Sequence, residues 1–183
     1  MLSVKTRQTY LKALGFYSGP ITGKTNEQTQ AAYKKLQNKY FTRSKDRDGV
    51  YGPDTDKLLR SAYNCRDLKY FKLSEFKCKC GGKYCTGYPA VLSRSLVLKL
   101  DQKLRPKYGP LSIISGLRCK TWNRLQGGVS NSRHTLGKAV DFQCAESRKG
   151  SAARTRIIAY CKKLFRYSYG NTSGMGASIH VDV

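Results

Sequence analysis

The sequence is poor in acidic residues, in histidine and in long apolar runs. Only 11 aspartates and glutamates stand against 35 lysines and arginines, which gives a formal net charge of +24. Both halves of the chain are basic, so the charge belongs to the whole surface and favours a polyanionic partner such as nucleic acid, an acidic membrane or an anionic bacterial wall. No run approaches the roughly 18 apolar residues that span a bilayer, which argues against a transmembrane helix.

The N-terminus also lacks the pattern of a secretory signal peptide. No apolar stretch of about 7–15 residues follows the charges of residues 1–7. We therefore expect the protein to be made and folded in a cytoplasm. The seven cysteines are odd in number and come without such a signal, so reduced thiols or a metal cluster are expected rather than a disulfide scaffold.

The first 65 residues have the pattern of a small helical domain. Ser3 is a candidate N-cap for a helix that extends to Leu14, and Thr25 for a second helix that extends to Tyr40. Pro53 opens a third helix, because proline is well tolerated at the first helical position. The pattern predicts three helices in this domain.

A degenerate repeat precedes the second and third helices. Residues 23–29 read GKTNEQT, and residues 48–55 read DGVYGPDT. These segments resemble the three-helix peptidoglycan-binding module, whose helices are introduced by an Asp-Gly-x-Phe/Tyr-Gly-x-x-Thr pattern. The second copy follows the pattern closely, whereas Asn26 stands where the first would have glycine. Ordinary turns and caps are the alternative, but the full pattern favours a module that binds peptidoglycan.

Residues 68–183 alternate helical and extended patterns, which predicts a compact α+β domain with a central, mainly antiparallel sheet. We therefore expect two domains, 1–65 and 68–183, in a chain that is a monomer. The predicted segments of the second domain are a helix from Pro89 through Leu104, a strand at 111–114, a polar loop at 115–133, a strand at 139–142, a basic helix at 152–165 and a terminal strand at 178–183.

The chain has only two histidines, and both lie in informative places. His134 lies in the segment SRHTLGKAVD, and His180 lies in the terminal strand. Catalytic zinc takes three protein ligands and leaves a fourth position to water. Asp141 lies in an apolar run, where a carboxylate is costly to bury unless a cation accompanies it. An ordinary pair of core or surface histidines with a turn-capping aspartate is the alternative.

The pattern Ser-x-His-x6-Asp, followed by a terminal His-x-Asp, resembles the M15 peptidase group. This group contains zinc D-Ala-D-Ala carboxypeptidases and related wall endopeptidases, including many phage endolysins. Residues 113–134 agree, because they follow the group's Ser-Gly-Tyr-Arg-Cys, Asn and Gly-Gly-x-x-Asn-Ser-x-His sequence. The resemblance covers roughly residues 70–183.

This resemblance implies roles for individual residues. It implies His134, Asp141 and His180 as the ligands of one zinc ion. It also implies Arg118 as a catalytic and substrate-binding residue, since a guanidinium suits a carboxylate or a developing oxyanion. Ser132 is implied as a second substrate-binding or loop-orienting residue.

The general base is less directly indicated. Asp182 shares a strand face with His180, because residues i and i+2 point to the same side. Some members of the group have an acidic residue three positions before the final histidine, where this chain has Ala177. Asp182 is then the candidate base by elimination. The alternative role for Asp182 is to orient a ligand imidazole.

Four cysteines offer a second metal site. Cys78, Cys80, Cys85 and Cys119 have thiols that suit a structural zinc ion. Their C-x-C-x4-C spacing is not that of a standard zinc knuckle, so the sequence favours packed thiols over a second zinc.

We therefore predict a zinc endopeptidase that binds peptidoglycan and cleaves its peptides, with its basic surface on anionic wall polymers. The combination of parts resembles a phage endolysin that accumulates in the host cytoplasm and reaches the wall after release. A D-Ala-D-Ala carboxypeptidase and a non-catalytic wall-binding protein, which Ala177 would support, are the alternatives. A specific nucleic-acid-binding protein is not expected, since no helix-turn-helix, zinc-finger or single-strand-binding motif is present.

Overall fold

The computed structural model describes residues 1–183 and has the predicted α+β architecture. The N-terminal part consists of helices α1 (Val4–Ala13), α2 (Glu27–Tyr40) and α3 (Pro53–Asn64). None of the helices in the molecule combines the length and the apolar character that crossing a lipid bilayer requires.

The N-terminal caps follow the sequence with one correction. Ser3 caps α1, and its hydroxyl accepts a hydrogen bond from the Thr6 amide. Thr25 was predicted to cap α2, but the cap is Asn26. The Asn26 side chain accepts a hydrogen bond from the Thr29 amide at 2.9 Å. The asparagine that departs from the repeat pattern therefore has a capping function of its own.

Two buried glutamines explain the internal repeat. Gln8 accepts from the Gly23 amide and donates to the Thr29 hydroxyl. Gln37 accepts from the Gly49 amide at 2.7 Å and donates to the Thr55 hydroxyl at 3.0 Å. Each glutamine thus holds one repeat loop by the same pair of contacts, so both copies are structurally equivalent although the first departs from the sequence pattern.

The C-terminal part consists of short helices around a four-stranded sheet. Its strands are all antiparallel and lie in the order β1-β2-β4-β3. In chain order the elements are α4 (Arg94–Lys99), a π-helical turn (Leu100–Leu104), α5 (Arg105–Tyr108), β1 (Leu111–Ser115), α6 (Lys120–Leu125), β2 (Ala139–Cys144), α7 (Ser151–Lys162), β3 (Tyr167–Gly170) and β4 (Ile179–Asp182).

Two predictions in this part were wrong in detail, and one strand was missed. The helix predicted from Pro89 begins at Arg94, because the Leu92 backbone is hydrogen-bonded to Ser61 and Asn64 of α3 and is not free to be helical. The predicted loop at 115–133 contains α6, and strand β3 was not predicted.

The two parts share one continuous apolar core of 32 buried residues. Tyr40 of α2 packs edge-on against Tyr88, with ring centroids 6.1 Å apart. The Leu92 amide donates to the Ser61 hydroxyl at 2.9 Å, and Arg94 Nη1 donates to the Asn64 carbonyl at 3.0 Å. The division into domains 1–65 and 68–183 stays a proposal, and the contacts described here join the two proposed parts firmly.

Candidate metal centre

A single row of residues crosses all four strands at the centre of the sheet. Ser115 of β1 is opposite Asp141 of β2, Asp141 is opposite His180 of β4, and His180 is opposite Tyr169 of β3. An irregularity in β1 between Ile113 and Ser115 brings Ser115 into this register. The row lies on one face of the sheet because directly paired residues point to the same side.

The opposite face of the sheet is apolar and carries the core. Val140, Phe142, Ile179 and Val181 are completely buried there. The alternation of apolar and polar residues in Ile179–Asp182 therefore directs its imidazole and carboxylate away from the core.

His134 reaches the row from a 3-10 helix, Arg133–Leu136. Its Nδ1 lies 2.8 Å from the carbonyl oxygen of Gly116, and because a carbonyl only accepts, Nδ1 carries the hydrogen. A side chain at Gly116 would put its Cβ 2.5 Å from the Phe76 carbonyl oxygen, so only glycine lets the backbone pass there. The Nε2 atom of His134 is left facing Asp141 and His180.

Three candidate metal-ligand atoms converge at this point. His180 Nδ1 lies 2.8 Å from Asp141 Oδ1, His134 Nε2 lies 3.3 Å from the same oxygen, and the two ring nitrogens are 3.3 Å apart. All three residues are at least nine-tenths buried. Tetrahedral zinc with bonds of about 2.1 Å has neighbouring ligand atoms about 3.4 Å apart, so the donor set and its spacing fit this ion.

Asp141 holds its charge in this buried position. Burial alone would raise the pKa of the Asp141 carboxyl, but the neighbouring His134 and His180 imidazoles outweigh it and hold that pKa well below its usual range. Arg118 Nη2 donates to the other oxygen, Oδ2, at 2.8 Å. One carboxylate oxygen is therefore paired with arginine, and the other faces the two imidazoles.

Arg118 and Ser132 both precede the three residues of this cluster in the chain. The Arg118 side chain also donates from Nε to the Ser115 hydroxyl at 2.7 Å, which fixes the plane of its guanidinium. The Arg118 amide donates to the His134 carbonyl at 3.2 Å, so the two loops are held together. Ser132 is buried and caps the 3-10 helix of His134 by position, without a side-chain capping bond.

Asp182 lies behind His180 and not in the open cluster. Its Oδ2 is 3.5 Å from His180 Nε2, and its carboxylate accepts from both Nε and Nη2 of Arg166, at 2.9 and 3.2 Å. The Asp182 side chain is 3% exposed. This geometry favours the alternative in which Asp182 orients the His180 ring, because the carboxylate contacts the imidazole nitrogen opposite the one that faces Asp141.

Several contributors to the site were not predicted from the sequence. The Gly116 carbonyl belongs to the main chain and leaves no side-chain signal. Arg166 is one of many basic residues, and only the register of the sheet brings it to Asp182. Tyr169 packs on the His180 ring with centroids 4.7 Å apart, and burial together with the Asp141 charge raises the pKa of Tyr169. The Tyr-Ser-Tyr alternation of β3 was the one available signal for it.

The structure also brings the four predicted cysteines together. The sulfur atoms of Cys78, Cys80, Cys85 and Cys119 all lie within 4.8 Å of one another, in a second cluster of candidate ligands. The spacing of these residues in the sequence did not favour such a cluster. The remaining cysteines, at positions 65, 144 and 161, lie outside it.

Comparison with known proteins agrees with this geometry. Residues 2–59 match the family model of a peptidoglycan binding domain, and residues 69–182 match the model of Peptidase M15. The zinc D-Ala-D-Ala carboxypeptidase of Streptomyces albus G is 29% identical over 129 residues, which is 67% of this chain and 49% of that relative. The chain thus spans about half the length of the curated relative. Since the peptidase model covers more than half of the chain, including both histidines of the centre, this protein belongs to the Peptidase M15 family.

Proposed function

We propose that this protein is a zinc-dependent endopeptidase that binds bacterial peptidoglycan and hydrolyses a peptide bond in it. The observation that carries the proposal is the convergence of His134 Nε2, His180 Nδ1 and Asp141 Oδ1 within 3.3 Å of one another. Membership of the M15 family supports the same chemistry.

We assign these three residues as the zinc ligands. Bound zinc would supply a Lewis acid and lower the pKa of a coordinated water to about 7. The Gly116 carbonyl fixes His134 so that Nε2 faces the ligand position. Asp182, held by Arg166, does the same for His180, in the manner of the carboxylate partners that accompany metal-bound histidines.

Arg118 is the proposed substrate-binding and catalytic group. Two of its nitrogens are fixed by Ser115 and Asp141, so its remaining N–H groups are directed without further ordering. A guanidinium held in this way can donate hydrogen bonds to a peptide carboxylate or to the negative charge that develops on the scissile carbonyl oxygen. Ser132 remains a proposed contact with the substrate or with the loop that carries His134.

The N-terminal helices are the proposed wall anchor. A groove of about 560 Å³ lies between α1, α2 and the second repeat loop, and Arg7 stacks on Tyr51 at its edge with 3.8 Å to the ring centroid. Aromatic and charged groups of this kind suit glycan and peptide strands. The net charge of +24 would add attraction to anionic wall polymers that weakens with salt. Anchoring would raise the local concentration of substrate at the centre.

The test is peptide release from purified peptidoglycan, followed by mass spectrometry. We expect fragments from the wild type and from the surface control Arg124→Ala, but none from His134→Ala or from protein treated with a chelator. Zinc should restore the treated protein and not the variant. If wall pelleting persists while no wall type yields fragments, the catalytic proposal fails and a non-catalytic wall-binding protein is preferred.

A carboxypeptidase is the second candidate, because the Streptomyces albus G relative is described as a zinc D-Ala-D-Ala carboxypeptidase. The same experiment separates the two activities. Release of D-alanine alone indicates a carboxypeptidase, whereas internal cleavage liberates larger peptides or separates cross-linked strands.

We further propose an endolysin role, in which the protein is made in the host cytoplasm and acts on the wall once the membrane is opened. The pairing of a wall-binding module with a peptidase domain supports it. Expression inside a susceptible cell should cause lysis only after the membrane is permeabilised. Lysis without permeabilisation, or none after it, would contradict this role.

A further inference from the structure

The second cluster of candidate ligands comes from two separate parts of the chain. Cys78, Cys80 and Cys85 lie on one loop, and Cys119 lies at the N-terminus of α6. Three of the four are buried, and Cys85 is half-buried. Tertiary folding, rather than a short local motif, therefore assembles this group of sulfurs.

The backbone of the loop is shaped to turn its thiols inward. The Cys78 amide donates to the Gly87 carbonyl at 2.9 Å, which closes the loop at its base. Gly82 has a φ of +88°, and a Cβ there would lie 2.9 Å from Thr42. Only glycine satisfies both the left-handed backbone and the close approach to the N-terminal part.

The spacing of the sulfurs suits a tetrahedral ion. Zinc–sulfur bonds of about 2.3 Å place neighbouring sulfurs about 3.8 Å apart in a tetrahedron. The Cys80 and Cys85 sulfurs are 3.5 Å apart, and no two of the four are separated by more than 4.8 Å. Four sulfurs around one point suit a single shared ion.

Two of the four sulfurs accept hydrogen bonds from the backbone. Backbone amides of Cys119 and Trp122 donate to the sulfurs of Cys78 and Cys119, both at 3.4 Å. Such N–H donors commonly support cysteine ligands of metals. Four lysines, Lys77, Lys79, Lys83 and Lys120, lie close to these cysteines in the sequence and make this part of the chain basic.

We propose that Cys78, Cys80, Cys85 and Cys119 bind one structural zinc ion, separate from the centre at His134. A closed set of four thiolates leaves no position for water, which is the arrangement of a structural rather than a catalytic zinc site. The ion would tie the cysteine loop to Cys119, the residue next to Arg118. Because Thr42 donates to Thr86 in the same loop at 3.2 Å, the ion would also stiffen the contact with the N-terminal part.

Metal analysis of the full chain, purified under reducing conditions with zinc, tests this inference. We expect about two zinc ions per wild-type chain and about one in His134→Ala. That remaining ion should be lost on adding Cys78→Ser to His134→Ala, and retained on adding Cys161→Ser, which alters a buried cysteine outside the cluster. The readout is independent of the peptidase activity.

A second measurement covers variants that fail to fold. His134→Ala loaded with cobalt should show the strong near-ultraviolet absorption of cobalt–thiolate bonds, and a mercurial should abolish it while releasing the metal. When the wild type is denatured in the presence of a chelator, titration with a thiol reagent should find all seven thiols free.

Three results would overturn the inference. These are a wild type that holds only the one ion lost in His134→Ala, iron in place of zinc, or four thiols missing from the titration because they form disulfides. Since His134→Ala removes the proposed catalytic ion alone, failure of one site is distinguishable from failure of the other.

Discussion

Each histidine of the candidate centre uses one ring nitrogen for the cluster and has the other one engaged elsewhere. His134 is held by a main-chain carbonyl, and His180 lies against the Asp182 carboxylate. The resemblance to the M15 group implied His134, Asp141 and His180 as one set of ligands, and the structure brings these residues together, while their role as zinc ligands stays a proposal. The partners that orient them were not predictable, because a carbonyl has no sequence signature and Arg166 reaches Asp182 only through the pairing of β3 with β4.

Asp182→Asn distinguishes an orienting residue from a general base. As an orienting residue, its loss should weaken zinc binding about 10–100-fold, with a smaller effect on kcat once zinc is saturating. Competition with a chelating dye gives the affinity, and the pH profile of kcat gives the catalytic effect. A fall in kcat of about 10²–10⁴ with unchanged zinc affinity would instead identify the base. Asp67→Asn, at an exposed ion pair, is the matched control.

Arg118→Lys should lower kcat/KM by about 10²-fold, because an ammonium cannot contact Ser115, Asp141 and a substrate in one plane. The release of peptides as a function of peptidoglycan concentration measures this. Arg124→Lys, an exposed change of the same chemistry on α6, should have no effect. Equal activity of the two variants would remove Arg118 from the site.

At the scale of elements, the centre depends on two backbone devices, the register of the sheet and the passage of Gly116 beside Phe76. The sequence predicted β1, β2, α7 and β4, each of which places apolar residues in the core. It missed β3, whose residues are mostly tyrosine, serine and glycine, and it placed the start of α4 too early. In both cases tertiary contacts decide the local structure, and a single sequence does not contain them.

Gly116→Ala should destabilise the protein by about 1–3 kcal/mol, because the new Cβ would meet the Phe76 backbone. It should also weaken zinc binding by moving the carbonyl that fixes His134. Urea unfolding and zinc titration measure the two effects. Gly52→Ala, where no atom lies within 4 Å of the added Cβ, should leave zinc binding unchanged and should cost only the preference for glycine at the N-cap of α3, about 0.5–1 kcal/mol.

Gln37→Met tests the hydrogen bonds that hold the second repeat loop. The change leaves the Gly49 amide without its buried acceptor, so we expect a loss of about 1–3 kcal/mol in the free energy of unfolding. Gln30→Met, at an exposed position of the same helix, should cost little. Equal losses in the two variants would mean that the hydrogen bonds of Gln37 do not stabilise the loop.

At the scale of the whole molecule, the continuous core couples the wall-binding and peptidase parts. The sequence predicted two compositionally similar halves and their chemistry, but not the contact between them. That contact depends on Tyr88, which precedes the predicted helix, and on Leu92, which lies in the segment that was predicted to be helical.

We therefore expect one cooperative unfolding transition at constant zinc. Trp122, the only tryptophan, reports on the peptidase part, whereas circular dichroism reports on all helices. The two signals should change at the same denaturant concentration. A helical transition that precedes the change in tryptophan fluorescence would show that the parts unfold independently.

Wall-binding modules can be exchanged freely between enzymes when a flexible linker separates them from the catalytic part. Here a foreign module in place of residues 1–65 would uncover Tyr88 and would leave the Leu92 backbone without Ser61. A working chimaera would need a foreign module whose surface makes the same contacts with Tyr88 and Leu92. The retargeting of this peptidase to a different bacterial wall, by evolution or by engineering, is therefore expected to proceed by substitutions within its own module more readily than by replacement of the module.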